Sequence, residues 1–511
     1  MNYTITTPLY YVNDKAHIGS SYTTLACDAI ARYKRLRGFK VIFITGVDEH
    51  GQKIQRTAEN NKLQPLDHCN RISLAYKELW QQWSISNDVF IRTTSPNHER
   101  VVKSFFQRVL SSNDIYLGTQ KGWYCVGCEE YKEVGSNISN AVCPIHNKEL
   151  EWRDEQNLFF KLSRYQKEIE SLVSSEQFIF PKKRKNEIIK FVERGLKDFS
   201  ISRINLDWGI PVPGYKGHTF YVWFDALLGY ISALLEYRGL SDLEDLNDIG
   251  WPVDLHIIGK DILRFHAIYW PAMLISAKLE LPKRLYGHGF LTKDGLKMGK
   301  SVGNVINPQE LVAKYGIDAV RWYLLKDFQF GNDGDFQYNR FIDIINNDLS
   351  NTIGNLLNRT ISMSRKWFSN CTPAKGTITN QLIIDTVNKA TDEYIKNMDS
   401  QQIHSACVNI IDLASFANVY INEQEPWKDI KDPIKFDKVS SDIYSILEIS
   451  RIVGLLMYPI LPEFSSRIMS QLNINIEISD WNEQLSWGLL PHDHTLSTPI
   501  PIMQKLDNPT S

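Results

Sequence analysis

The stretch 8-PLYYVNDKAHIGSSYT-23 decides how the rest of the chain is read. It joins a buried strand, Tyr3 to Tyr11, to a helix running from Gly19 to Arg37 and stopped by Gly38. The next run, 40-KVIFITG-46, reads as a second buried strand. Strand, helix and strand in this order make a βαβ unit, and strands apolar on both faces belong to a parallel sheet. In such a sheet ligands bind beyond the carboxyl ends of the strands. Polar clusters follow the apolar runs at Asn13 to Gly19, at 48-DEHG-51, at 259-GKD-261 after 254-DLHII-258, and at 292-TKDG-295 after Leu285 to Leu291. The expectation is that all of them reach one rim and build a site there.

A chain of 511 residues is too long for a single core and predicts two to four domains. Hydrophobic residues make up 43% and charged residues 23%, and no run approaches the roughly 18 uninterrupted apolar residues of a membrane span, so no membrane partner is expected. The sequence opens almost directly into strand, with no secretory or transit pattern, which predicts a cytoplasmic protein. A net charge of −2 excludes an indiscriminate nucleic-acid binder but leaves room for a local patch. Residues 181-PKKRKNEIIKFVERGLKDFSISR-203 form one, although a solvated helix face has the same composition.

The organisation follows from changes of pattern. Residues 1–114 and 205–290 read as the two halves of an α/β domain with a parallel sheet, separated by an insertion at 115–204 that holds a cysteine cluster. A lysine-rich loop and connecting segment occupies 291–345. From 346 to 511 helical periodicity takes over. Its apolar stripes are Leu349, Ile353, Leu356 and Leu357, then Ile403, Cys407, Ile410, Ala414 and Ala417, then Ile443, Ile446, Ile449, Val453 and Leu456, the pattern of an all-α bundle with an irregular tail.

The cluster 125-CVGC-128 with 143-CPIH-146 is the sharpest local signal. Paired two-residue knuckles offering Cys125, Cys128, Cys143 and His146 suit tetrahedral zinc, and a closed shell of this kind leaves no open position for catalysis. The ion is therefore expected to be structural. The run 289-GFLTKDGLKMGKSVGN-304 invites a phosphate-loop reading through Gly299, Lys300 and Ser301, but the glycine required earlier is replaced by Asp294. The next helix also starts too late, with Asn307 as N-cap and Pro308 in its first turn. What remains is a loop offering Lys297 and Lys300 as point charges for a leaving pyrophosphate. His17 and Gly19, at a helix start after a strand, suit an anionic phosphate chain.

With 10-YYVNDKAHIGS-20, 45-TGVDEHGQKI-54, 221-YVWFDALLGY-230, 258-IGKDILRFHAIYWPAML-274, 297-KMGKS-301 and 425-EPW-427 added to the knuckles, the chain resembles class I aminoacyl-tRNA synthetases over almost its whole length. Within them it is similar to methionyl-tRNA synthetases of bacterial or organellar type with a single zinc knuckle. The resemblance implies a Rossmann domain, a zinc-bearing insertion, a stem-contact segment and an α-helical anticodon-binding domain. It implies a ligase that activates L-methionine with ATP and Mg²⁺ and charges initiator and elongator tRNA(Met). The absence of strands after the bundle implies a monomer.

Carried over position by position, the resemblance gives His17, Lys300 and Lys297 catalytic roles. It places ATP on His17, Gly19, Ser20, Gly259, Lys260, Asp261, Lys297 and Lys300, with Ser20 standing where the family usually has a second histidine. It places the amino acid on Leu9, Tyr11, Asp48, Arg203, Trp223, Leu227, Tyr230 and His266, and the anticodon on Trp427, Asn358 and Arg359. Asp48 would meet the substrate ammonium and Arg203 a carboxylate or phosphate oxygen. Two rivals are weighed. Another class I synthetase, such as the cysteine enzyme, carries zinc in its active site; a non-catalytic tRNA-binding relative would lose His17, Asp48 or Lys300, and all three are present.

Overall fold

The computed structural model describes residues 1–127, 129–132, 141–144, 148–204, 206–246, 249–298, 303–374, 380–476 and 480–507. Cys128, His146, Lys300 and Ser301 lie outside the described residues. The chain divides into two compact units. One comprises residues 2–16 and 41–288; the other contains residues 17–40 and 289–511, with Met1.

The first unit is built on a six-stranded sheet. Its order is β3 (Val89–Arg92), β2 (Lys40–Asp48), β1 (Asn2–Tyr11), Leu255–Gly259, Leu285–His288 and Ile179–Phe180. The register is parallel between β2 and β3, between β1 and Leu255–Gly259, and through the two strands beyond. β1 forms as the sequence predicts because β-branched residues occupy its buried centre. Their hydroxyls are satisfied internally: Thr4 donates to the Gly250 carbonyl at 2.7 Å and Thr7 to Thr45 at 2.8 Å. Later strands add on the other side of β1 from β2, so the order reverses there, which is where ligands of such sheets bind.

The insertion forms its own antiparallel sheet, with Ile115–Cys125 paired along Glu151–Phe160 and flanked by Glu130–Lys132 and Phe199–Ser200. It also supplies the edge strand Ile179–Phe180 of the parallel sheet, a two-residue element too short to leave a periodic signal. The basic run is less solvated than its composition suggests. Arg184 and Lys185, on the helix Lys182–Val192, are buried and paired with Glu187 at 2.8 Å and Glu176 at 2.5 Å.

One expectation about the rim is corrected. The strand Leu285–His288 ends before Gly289, and 292-TKDG-295 belongs to a hairpin of Leu291–Lys293 and Leu296–Lys297 in a separate three-stranded sheet with Gly334–Phe336. Asp294 and Gly295 have φ of 52° and 75°, the two left-handed residues of a tight hairpin turn. At Gly289 the backbone of Asn332 comes so close that a Cβ would lie 2.3 Å from it. The apolar run is thus two strands in two sheets.

In the second unit α1 (Ile18–Leu36) ends at Arg37, followed by Gly38 at φ 80°. Its buried Asp28 pairs at 2.6 Å with Arg321, whose Nε donates to the Ile460 carbonyl at 2.8 Å. Asn307 caps the helix Pro308–Tyr315 as predicted, its Oδ1 accepting the Gln309 N–H at 3.0 Å. Helices Asn355–Trp367, Gln381–Asp399, Ile403–Gln424 and Phe436–Met457 pack into the bundle, and every residue of the three predicted stripes is buried. The tail is irregular but pinned: the Glu448 carboxylate, bonded to Arg451, accepts N–H groups of Gly488, Leu489 and Leu490.

Candidate active site

The carboxyl ends of β1 and β2 bring Tyr11 beside the loop that begins at Asp48. The Tyr11 hydroxyl lies 2.9 Å from the His50 carbonyl and 2.8 Å from Glu129 Oε1. Asp48 is buried, and burial, reinforced by the charges of Asp225 and Glu129, pushes its carboxyl well above the usual carboxylate range. Asp225, on the short helix Val222–Leu227, is fully enclosed: Oδ2 is 2.6 Å from His50 Nδ1 and Oδ1 2.6 Å from His98 Nε2. Burial works against its charge, but the two imidazoles outweigh it and hold the carboxyl at about 2. Burial likewise works against a charged His50, and Asp225 reverses the balance, raising its pKa. Glu49 braces the loop from behind, accepting Arg92 Nε at 2.9 Å and the hydroxyls of Ser73 and Thr94. Burial beside further carboxylates favours the protonated form of Asp48, a balance that a neighbouring cation would reverse.

The same unit holds an aromatic cluster. Leu9, Trp223, Leu227 and Tyr230 pack in one core cluster, and Trp223 stacks on Phe265 with centroids 3.9 Å apart and planes 6° from parallel. The Tyr230 hydroxyl lies 2.8 Å from His266 Nε2, and His266 Nδ1 lies 3.1 Å from the Ile262 carbonyl. A carbonyl only accepts, so Nδ1 carries the hydrogen and Tyr230 donates to Nε2. Burial depresses His266 to about 4, with the Ile262 carbonyl pulling weakly the other way, so the ring is neutral near pH 7. The cluster is therefore neutral and polarizable near pH 7.

Arg203 is buried among three tyrosines. Its guanidinium lies 4.1 Å from the Tyr221 ring centre, with Tyr124 at 5.5 Å and Tyr131 at 5.6 Å, and donates to Ser200 Oγ and the Ser202 carbonyl at 2.8 Å. Glu129 is a carboxylate within its electrostatic reach.

In the other unit, His17 caps α1: Nδ1 accepts the N–H of Gly19 at 3.0 Å and of Ser20 at 3.4 Å. Ser20 completes a capping box, its hydroxyl accepting the His17 N–H at 3.1 Å. Gly19 leaves room for this fold-back, since a Cβ would meet the imidazole at 2.9 Å. Lys297 is exposed on its hairpin strand. Gly259, Lys260 and Asp261 follow the strand Leu255–Gly259 in the first unit, where the Lys260 N–H donates to the His288 carbonyl at 2.9 Å.

Of the four expected zinc ligands the structure describes two. Cys125 and Cys143 are free thiols buried in one cluster with Ala141 and Leu150, with Trp123 packed against it. Among the described residues no group of three metal-ligating side chains occurs; Cys128 and His146 lie outside them. In the bundle Trp427 is 43% exposed, and the Arg359 guanidinium lies 5.8 Å from its ring. Arg359 donates to Asn422 at 2.9 Å, while its Nε and Nη2 are buried without a protein partner. Asn358 beside it is half-buried.

The comparisons with known proteins agree with this geometry. Residues 3–134 and 132–361 match the family described as tRNA synthetases class I (M), and residues 372–510 match the anticodon binding domain of methionyl tRNA ligase. A methionine–tRNA ligase of Synechocystis is 48% identical over 99% of this chain and 98% of its own, and the chloroplastic/mitochondrial one of Arabidopsis thaliana is 46% identical over 99% and 83%. The chain belongs to the methionine–tRNA ligase family. A Mycobacterium tuberculosis methionyl-tRNA synthetase in complex with methionyl-adenylate superposes with a TM-score of 0.92 at 35% identity, over 98% of this chain and all of that one.

As a member of the methionine–tRNA ligase family the protein is an aminoacyl-tRNA synthetase, with a Rossmann-like parallel sheet and a helical anticodon-binding region. The residues that sequence reasoning missed are those that act behind the family's motifs. Asp225 and His50 both lie inside quoted motifs, but nothing local shows that they meet, with His98, across the fold. Among the described residues, no helix is long and apolar enough to cross a membrane.

Proposed function

We propose that the protein activates L-methionine with ATP and transfers it to tRNA(Met) through the residues described above. The methionine carboxylate oxygen attacks the α-phosphorus, the bond to the β-phosphate oxygen breaks, and pyrophosphate leaves. The terminal ribose hydroxyl of the tRNA then attacks the acyl carbon, and AMP leaves. The observation that carries this reading is the buried Asp48, whose charged form a substrate ammonium would stabilise, in the same unit as a neutral Trp223–Tyr230–His266 cluster that suits a thioether.

In this reading His17, Gly19 and Ser20 approach the ATP phosphates, Gly259, Lys260 and Asp261 hold the nucleoside part, and Lys300, helped by Lys297, balances charge on the departing pyrophosphate. Magnesium arrives with ATP as part of the substrate. The domain division follows the sequence: catalytic halves at 1–114 and 205–290, the insertion at 115–204, a stem-contact segment at 291–345 and the anticodon-binding region from 346. Zinc on Cys125, Cys128, Cys143 and His146 would cross-link the two knuckles of the insertion and supply no chemistry to the reaction. Trp427 offers a stacking face for an anticodon base, flanked by Arg359 and Asn358. A cytoplasmic monomer completes the proposal.

The test is exchange of labelled pyrophosphate into ATP with each of the twenty amino acids. Methionine alone is expected to support it; exchange driven by another amino acid, or by none, overturns the reading.

A further inference from the structure

Glu129 follows directly on an expected zinc ligand, yet its side chain meets Tyr11 and Lys53, on the strand and the helix that flank the loop of Asp48. Its Oε1 accepts from the Tyr11 hydroxyl at 2.8 Å and from the Lys53 N–H at 2.9 Å. Its carbonyl accepts from the Tyr221 hydroxyl at 2.7 Å. The residue is 5% exposed and sits at φ 55°, a left-handed conformation that a non-glycine residue keeps only when its surroundings hold it there. The junction has no slack. At Gly51, itself at φ 110°, a Cβ would lie 2.4 Å from the Tyr11 hydroxyl and 2.8 Å from Glu129 Oε1. Lys53 Nζ lies 5.4 Å over the Tyr11 ring and closes the other side.

We infer that Glu129 is a positioning residue for methionine: it reaches from the cysteine knuckle to clamp the Tyr11 phenol against the loop of Asp48 and His50. The phenol has one proton and two acceptors, so without Glu129 only the His50 carbonyl would hold it. Without the Lys53 N–H and Tyr11 as partners, the buried carboxylate would keep only the electrostatic attraction of Arg203 and of the Lys53 ammonium. The clamp thus fixes a wall of the pocket in the orientation that the ammonium at Asp48 requires, and it acts on binding rather than on the phosphorus chemistry. This inference rests on the methionine-activating reading, whose failure would appear separately as absence of methionine-dependent exchange in the unaltered protein.

The test is pyrophosphate exchange at varied methionine and varied ATP, with the zinc content of each variant measured. Losing a hydrogen bond to a charged group predicts a methionine KM raised about tenfold in Glu129→Ala, with kcat within about threefold. Glu129→Gln keeps an accepting oxygen and is expected to restore KM to within about threefold of the parent. Tyr11→Phe, which leaves the knuckle untouched, is expected to match Glu129→Ala, and the double variant to be no worse than the worse single one. Equal ATP KM and equal zinc content throughout place the effect at the clamp. A methionine KM unmoved by Tyr11→Phe, or effects that add in full, overturns the inference. Should Glu129→Ala lose its metal or fail to fold, Tyr11→Phe and Glu129→Gln decide on the same criteria.

Discussion

Acidification should destabilise the unit that contains the methionine pocket, and His266 sets a size for the effect. In an unfolded chain a histidine titrates near 6.5, whereas the buried His266 titrates at about 4. Below pH 6.5 the unfolded state takes up a proton that the folded state refuses. The stability that His266 provides is therefore complete above 6.5 and is lost as the pH falls toward 4, after which the loss stops. Each pH unit in that window is worth about 1.4 kcal/mol, so moving from pH 7 to pH 4.5 removes about 3 kcal/mol through this one ring. His256 adds to it with the same sign, since burial and the neighbouring His266 hold its pKa well below the ordinary value. The assay is urea unfolding from pH 7 to 4.5, followed by hydrogen exchange in peptides covering residues 255–277 so that this unit reports by itself. His266→Gln keeps an acceptor for the Tyr230 hydroxyl and removes the titration, so its profile should be flatter than the parent's by about 3 kcal/mol at pH 4.5. Parallel profiles for the two proteins would refute the assignment of a neutral, buried His266.

Other consequences follow from the same geometry. Methionine's ammonium should ionise Asp48 on binding, so calorimetry in buffers of different ionisation enthalpy should detect proton release and affinity should rise with pH; proton uptake would contradict the placement. Asp48→Asn should weaken methionine binding by about 2–3 kcal/mol, read as a raised KM in exchange, because a charged partner is lost from a buried site. Chelation with Mg²⁺ resupplied should expose the insertion around residues 115–160 to proteolysis and raise the methionine KM through Glu129 while exchange at saturating methionine persists, and loss of the saturated rate in step with proteolysis would show that the metal serves the chemistry directly. Trp427→Ala should weaken tRNA binding by about 1–3 kcal/mol while leaving methionine-dependent exchange unchanged.

Much of the fold was legible because it is written locally. The strands β1 and β2 are apolar runs, α1 stops where Gly38 takes φ 80°, Asn307 caps its helix, and the bundle stripes are periodic and buried. Ser20, which stands where the family usually has a second histidine, closes the capping box with His17. What could not be read depends on contacts distant in sequence. The apolar run through Leu291 changes sheet at Gly289 because the Asn332 backbone occupies the space beside it. Arg184 and Lys185 look solvent-bound in sequence and are buried because Glu187 and Glu176 answer them. The motifs pointed to Tyr11, Asp48 and Tyr230, but not to the groups that orient their surroundings. Asp225 lies 175 positions from His50 and 127 from His98, separations at which no periodicity speaks.

The central claim is that this chain ligates methionine to its tRNA, and charging of a total tRNA pool tests it most directly. With ATP and labelled methionine, periodate protection followed by sequencing should show only initiator and elongator tRNA(Met) carrying the label. Protection of any other tRNA, or of none while pyrophosphate exchange proceeds, would contradict the account.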